Sequence, residues 1–336
     1  MTPLSITLIT PARPASRSGN RVTADRWHSI LSGLGHHVNV VEAYDGKPAD
    51  LLIAIHAWRS ADAVTAFAHD QPGKPIIVCL SGTDIYTYQS SDPVVTHGAM
   101  TAATALVGLH DLVGHAIPDR FHGKLRIIHQ SVAAAAAPAV LMVRRPDPTV
   151  FDVCVIGHLR AEKDPFRTAE AVRLLPPSVP IRVTHLGGAM DASWTARAEQ
   201  EMRINPRYQW RGELPAAAVS DVFVATSLMV LSSVSEGGAN VLGEAIVAGV
   251  PVIVSAIDGS LGLLGSDYPG TYPVGNTLAL AQLLQRAVAD PDFLADLTTR
   301  CAARASLFAP ERESAAWSAL LAEVTGSVAA TGAGLL

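Results

Sequence analysis

The chain has 336 residues, enough for two domains of about 150 residues that each bury a core of their own. Charged residues make up only 16% and aliphatic residues dominate with alanine, a composition that suits sheets covered by helices on both faces and points to a soluble α/β protein. A net charge of -5 without long runs excludes a generic nucleic-acid binder, which needs a basic face for phosphates. Cys79, Cys154 and Cys301 are far apart and form no C-x-x-C pair. Neither a disulfide framework nor a zinc cluster is predicted, and the expected setting is a reducing cytoplasm. The first residues lack a basic leader, and no segment reaches the roughly 18 uninterrupted apolar residues of a membrane span, so neither export nor integral membrane association is expected.

In chain order, "LSITLIT" from Leu4 reads as a strand stopped by Pro11. The turn-rich "PARPASRSGN" follows as a loop, and "RVTADRWHSILSGLG" as a helix closed by Gly35. "HHVNVVEA", "DLLIAIHA", "KPIIVCLSG", "ALVGLHD" and "LRIIHQS" are further short strands, with a helix at "SADAVTAFAHD". This alternation predicts one doubly wound domain over residues 1–132. The alanine- and proline-rich segment 133–148 is the expected interdomain linker. A second series over 149–309 runs through "FDVCVIGHLR", "IRVTHLGG", "YQWRGEL", "SLMVLSSVSEGG" and "VPVIVSAI" with helices between, repeating the architecture rather than the sequence. "PERESAAWSALLAEV", residues 310–324, opens on proline and carries an apolar stripe with Trp317 and Leu321, so a helix is predicted, followed by a weakly patterned tail at 325–336.

The second series concentrates the chemistry. In "SVSEGGANVLGEAIVAG" the strand-to-helix loop carries Glu236, and Glu244 falls within a helix closed by Gly249. Gly237, Gly238, Ala239, Asn240 and Val241 bring backbone N–H groups at the helix start close to an anion. A phosphate suits that corner, and the two carboxylates suit sugar and ribose hydroxyls. The plainer alternative is a glutamate facing the helix dipole and a second one exposed on the helix. In "IGHLRAEKDP" a strand ends at Gly157, and the loop offers Arg160 and Lys163, two cations able to stabilise a departing diphosphate in place of a metal. The alternative there is an exposed loop with a Glu162–Lys163 surface pair.

These motifs give the second half a resemblance to the donor domain of GT-B glycosyltransferases, specifically the large retaining family with an E-x7-E motif. The resemblance implies two Rossmann-like doubly wound domains facing a cleft, with the last helix crossing back to the first domain. It assigns Glu236 to sugar hydroxyls, Glu244 to the ribose, and Arg160 and Lys163 to the diphosphate. One departure stands out: the family often has arginine directly after the strand-ending glycine, and here that position is His158. No cofactor and no obligatory divalent metal are expected.

In the first half, Gly19, Asn20 and Thr23 lie in the loop and helix start that the resemblance turns toward the donor sugar, with helix capping as the alternative. Arg17 and Arg21 could meet an anion or simply be solvated. His56, Trp58, Arg59, Ser60, Ser81, Gly82, Thr83 and Asp84 follow strands, where ligands bind in open α/β sheets. His56, Arg59, Ser81 and Thr83 are the expected acceptor contacts, with His56 also counted as catalytic. Trp58 as packing and Asp84 as a turn cap are the plainer readings. Taken together, "SGNRVTADRW", "LLIAIHAWRSAD", "LSGTDIYTY", "KLRIIHQS" and "GHLRAEKDP" resemble a narrower family, the selenosugar synthases of selenoneine biosynthesis. That resemblance implies a UDP-sugar donor, commonly UDP-N-acetylglucosamine, and selenophosphate as the acceptor. Arg59 and His56 would then hold the phosphate oxygens of a nucleophile that is already ionised. An O-glycosyltransferase acting on a small metabolite or lipid hydroxyl, and a nucleotide-sugar sensor without turnover, are the other readings.

Overall fold

The computed structural model describes residues 2–14, 16, 18–132 and 149–326. Arg17, the expected linker at 133–148 and most of the tail lie outside the described residues. The chain divides into one unit of Met1–Gln130 with Pro310–Leu336, and a second of Ser131–Ala309.

In the first unit, short runs of β-branched and aliphatic residues, too short for stable helices and bounded by Gly, Pro and Asp, form six strands. The elements in order are β1 Ser5–Ile9, α1 Gly19–Gly33, β2 His37–Val41, β3 Leu51–Ile55, α2 Ala61–Asp70 and β4 Ile76–Cys79. A π-helical turn at Asp84–Tyr88 leads into α3 Gln89–Ser91, α4 Pro93–Ala102, β5 Ala105–Gly108 and β6 Leu125–Ile127. All pairings are parallel, in the order β2-β1-β3-β4-β5-β6. Strand order reverses between β1 and β3, so the loops after these two strands border the crevice where doubly wound sheets take ligands.

The second unit runs β7 Phe151–Ile156, α5 Arg167–Arg173, β8 Ile181–Leu186, α6 Ala192–Ile204, β9 Tyr208–Trp210, α7 Ala216–Ala225 and β10 Leu228–Leu231. It continues α8 Asn240–Val247, β11 Val252–Ser255, α9 Asp258–Leu264, β12 Thr271–Tyr272, α10 Thr277–Ala289 and α11 Pro291–Arg304. Its parallel order β12-β11-β10-β7-β8-β9 is that of a dinucleotide-binding Rossmann sheet, with the reversal between β7 and β10. β10 and β11 are fully buried, as continuous apolar strands under helices on both faces must be.

The expected last helix is α12, Pro310–Val324, and it belongs to the first unit. Trp317 packs edge-on to Trp27 of α1 with ring centroids 4.6 Å apart, and Trp27 Nε1–H donates to the buried carboxylate of Glu313 at 2.8 Å. Burying side chains of this size contributes roughly 1.5–3 kcal/mol each, so α12 is part of that core.

One boundary differs from the sequence reading. α1 begins at Gly19 with Ser18 as N-cap, so Gly19 and Asn20 occupy the first helical turn rather than the loop. No atom outside its chain neighbours and its own helix backbone lies within 4 Å of the Cβ position at Gly19, so no close backbone approach explains that glycine. α8 ends as expected, with Gly249 in the left-handed region at φ 74°. No helix among the described residues is long and apolar enough to cross a membrane.

Candidate functional site

The second unit assembles its polar groups on the loops after β7 and β10. After β7 the ladder to β8 continues through the loop: Gly157 N–H donates to Leu186 O at 2.8 Å and Leu159 N–H to Gly188 O at 2.9 Å. This close approach requires glycine at position 187, where a Cβ would sit 2.0 Å from Gly157 O and φ is +146°. From below, buried His185 donates from Nε2 to Gly157 O at 3.0 Å and accepts from Tyr208 OH at Nδ1, 2.8 Å away. Burial lowers the His185 imidazole to about 4, so it is a neutral strut. His158 accepts at Nδ1 from Gly188 N–H at 3.1 Å.

Beyond Leu159 the loop turns. Arg160 is half-exposed and lies 4.0 Å from Glu162. Ala161–Lys163 form a 3₁₀ turn that ends at Asp164 in the left-handed region, φ 43°. Ser232, directly after β10, fixes this conformation: its Oγ lies 3.1 Å from Lys163 O and 2.9 Å from Asp164 O. Lys163 Nζ pairs with Glu236 Oε1 across 73 residues of sequence, with side-chain exposures of 17% and 10%. The expected alternative of a Glu162–Lys163 pair is therefore not what forms. Buried Ser233 donates from Oγ to the same Glu236 oxygen at 2.5 Å, and Ser255 Oγ–H donates to Ser233 O. Gly259 at the start of α9 lets that segment press against Glu236: a Cβ there would lie 2.3 Å from Glu236 O.

Gly157, Lys163, His185, Ser232 and Ser233 share the wall of a cavity of about 10 Å³, room for about one water. Gly237, Gly238 and Ala239 lead into α8, whose first turn presents Asn240 and Val241 N–H groups, with Glu244 one turn further on and half-buried.

In the first unit the loops after β3 and β4 interlock. His56 is buried with φ 78°, an uncommon conformation for a residue with a Cβ, which costs about 1–3 kcal/mol and clusters at functional loops. Arg59 N–H donates to His56 Nδ1 at 3.1 Å, which assigns the ring proton to Nε2, and Nε2–H donates to Thr83 Oγ1 at 2.9 Å. Burial holds the imidazole below its ordinary value, opposed by the Asp84 carboxylate and reinforced by Arg59. Asp84, fully buried, accepts from the backbone N–H groups of Ala57 (2.9 Å), Ser81 (2.9 Å), Gly82 (2.8 Å) and Ile85 (3.1 Å). It is thus more than the expected turn cap. Trp58 stacks on Tyr88 with centroids 4.0 Å apart and donates to Asp92 at 2.9 Å, which fits the packing reading. Arg59 is exposed, and its guanidinium makes no hydrogen bond or ion pair among the described residues.

Elsewhere in this unit Thr23, in the second turn of α1, accepts from Gln130 Nε2 at 2.6 Å and caps nothing. Arg21 pairs with Asp25 at 2.7 Å. Among the described residues no group of three or more His, Cys, Asp or Glu side chains could hold a metal ion. The sequence reading missed Ser233, His185 and Gly259. Only the serine pair between β10 and the glutamate loop offered a local signal.

Two parallel, doubly wound Rossmann-like units are the architecture of the GT-B fold. Residues 144–305 match the model of the family described as Glycosyl transferases group 1, so the second unit carries that family's domain and the chain is a glycosyltransferase. Sucrose-phosphate synthase from Thermosynechococcus elongatus is similar over 96% of this chain and 99% of its own, with 16% identity and a TM-score of 0.79. Anabaena HepE, solved in complex with UDP and glucose, is similar over 95% of this chain and 100% of its own, at 14% identity and a TM-score of 0.74. A glycosyltransferase from Rickettsia africae is similar over 96% and 99%, at 12% identity and a TM-score of 0.75.

Proposed function

We propose that this glycosyltransferase uses a UDP-sugar, with UDP-N-acetylglucosamine as the first candidate, and transfers the sugar to selenophosphate. The selenium lone pair forms the C–Se bond at the anomeric carbon while the bond to UDP breaks and its electrons go to the diphosphate. Water then takes the phosphoryl group from selenium, giving a selenosugar and phosphate. The second unit handles the donor: Lys163, Arg160 and the α8 start meet the diphosphate, Glu236 the sugar and Glu244 the ribose. The UDP and glucose carried by HepE support a uridine donor.

The observation that carries the acceptor assignment is the state of the β3 and β4 loops in the first unit. Both ring nitrogens of His56 and both oxygens of Asp84 are engaged within the chain. Neither offers a base to a sugar or lipid hydroxyl. What these loops offer is an exposed cation, Arg59, whose backbone N–H is bonded to His56, with Thr83 bonded to the other nitrogen of that ring. That combination suits an acceptor arriving as an anion with an ionised nucleophile, which needs positioning rather than deprotonation.

The test is mass spectrometry of products after incubation with a panel of UDP-sugars, with and without selenophosphate, and in excess chelator. A selenosugar and UDP formed only with selenophosphate, and undiminished by chelator, are expected. An O-linked product formed without selenophosphate overturns the acceptor assignment, and loss of turnover rescued by Mg²⁺ overturns the role of the loop cations.

A further inference from the structure

We propose that Glu236 makes the enzyme discriminate intact donor from spent nucleotide, by competing with the diphosphate for Lys163. The inference rests on the reading of the second unit as the donor site.

Lys163 and Glu236 are each other's partners, and both are mostly withdrawn from solvent. Their freedom differs. Glu236 is wedged: Ser233 holds Oε1, Ser255 holds the Ser233 carbonyl, and Gly259 lies against the Glu236 backbone. The Lys163 backbone is held by Ser232, but its ammonium sits on a four-carbon stem with three donors to turn toward a new anion. An arriving diphosphate must therefore draw Lys163 away from a carboxylate that cannot follow. With UDP alone, Glu236 is left as a poorly solvated charge facing another anion, a costly arrangement. With a UDP-sugar, hydroxyls of the sugar donate to Glu236 and replace the lost ammonium. Both present bonds fall on Oε1, and Oε2 has no partner among the described residues, so a hydroxyl can be accepted there without disturbing Ser233. The glutamate thus penalises UDP, the sugar lifts that penalty, and the product nucleotide is released.

Calorimetry with UDP and with UDP-N-acetylglucosamine tests this on wild type, Glu236→Gln, Lys163→Met and the double variant. Glutamine keeps an acceptor for Ser233 and removes the charge. UDP is expected to bind Glu236→Gln about tenfold more tightly than wild type, the scale of one charge-assisted contact. The gain is expected to shrink below about threefold in the Lys163→Met background, where only like-charge relief remains. The UDP-sugar gains less than UDP, so the ratio of the two dissociation constants shifts toward UDP. If Lys163→Met weakens UDP but Glu236→Gln leaves it unchanged or weaker, the competition is refuted and the donor site stands. If wild type binds no UDP, or Lys163→Met leaves UDP binding unaltered, the donor reading falls and the competition with it. Should Glu236→Gln fail to fold, Glu236→Asp, which draws the carboxylate back by one methylene, is expected to tighten UDP in the same direction and carries the same outcomes.

Discussion

Gly259→Ala perturbs Glu236 from a residue that bears no functional group. The new methyl carbon would lie 2.3 Å from Glu236 O and 2.9 Å from Glu236 Cβ. An ordinary carbon–oxygen approach is roughly 3.3 Å, so the two segments must part by about 1 Å. Overpacking of this kind costs roughly 1–3 kcal/mol of stability. The displaced carboxylate leaves the oxygen that both Lys163 and Ser233 contact, and misplacement on this scale lowers turnover by about 100-fold. The assay is initial-rate UDP release across donor concentrations, with thermal unfolding recorded in parallel. Gly98→Ala is the control: Gly98 is exposed in α4, nothing lies within 4 Å of its Cβ position, and alanine there adds roughly 0.5–1 kcal/mol of stability with activity unchanged. A folded Gly259→Ala enzyme with wild-type kcat/KM would refute the claim that the α9 contact sets the position of Glu236.

Arg59→Lys and Arg59→Ala are expected to lower selenophosphate-dependent efficiency by about 10- to 150-fold, from loss of a charge-assisted contact, with UDP-sugar affinity little changed. Saturation kinetics in selenophosphate together with donor calorimetry check this, and a large loss of UDP-sugar affinity moves Arg59 to the donor side. For His185, whose folded value of about 4 lies below the ordinary 6.5, the unfolded chain binds the extra proton between these limits. Its contribution to stability is therefore present above pH 6.5 and falls away as pH drops toward 4, by about 3 kcal/mol over the window. Unfolding midpoints of wild type and His185→Gln at pH 7 and pH 5 should show the shallower pH slope in the variant; equal slopes reject the assignment.

Much of the architecture was legible because buried parallel strands announce themselves as aliphatic runs between Gly, Pro and Asp. β7, β10 and α12 follow such local signals, as does the end of α8 at Gly249. The start of α1 was not legible, since Gly19 and Asn20 disfavour a helix interior yet are tolerated in its first turn. The candidate site was legible as a set of residue types and not as a set of partnerships. The pairing of Lys163 with Glu236 and the bond from the Ala57 amide to Asp84 join positions that only the sheet topology brings together. The left-handed conformations of His56 and Asp164 fall at residue types that enter that region more often than most, but the type alone does not single out these two among the many Asp and His of the chain. Each is held by neighbours from a different strand's loop.

The placement of α12 sets an order of events during synthesis. Gln130 leaves the ribosome about 180 residues before Pro310, while the second unit is one continuous stretch. At about 5–20 residues per second, the first sheet waits on the order of 10–40 s for the helix that covers Trp27 and supplies its Glu313 acceptor. The later-made unit is therefore expected to close first, and the earlier-made one to spend that interval with an apolar face uncovered. Nascent chains stalled with Ala309 beyond the exit tunnel and α12 still inside it should be cut by protease in the first unit and resist it in the second. Chains stalled with α12 beyond the exit tunnel should resist in both.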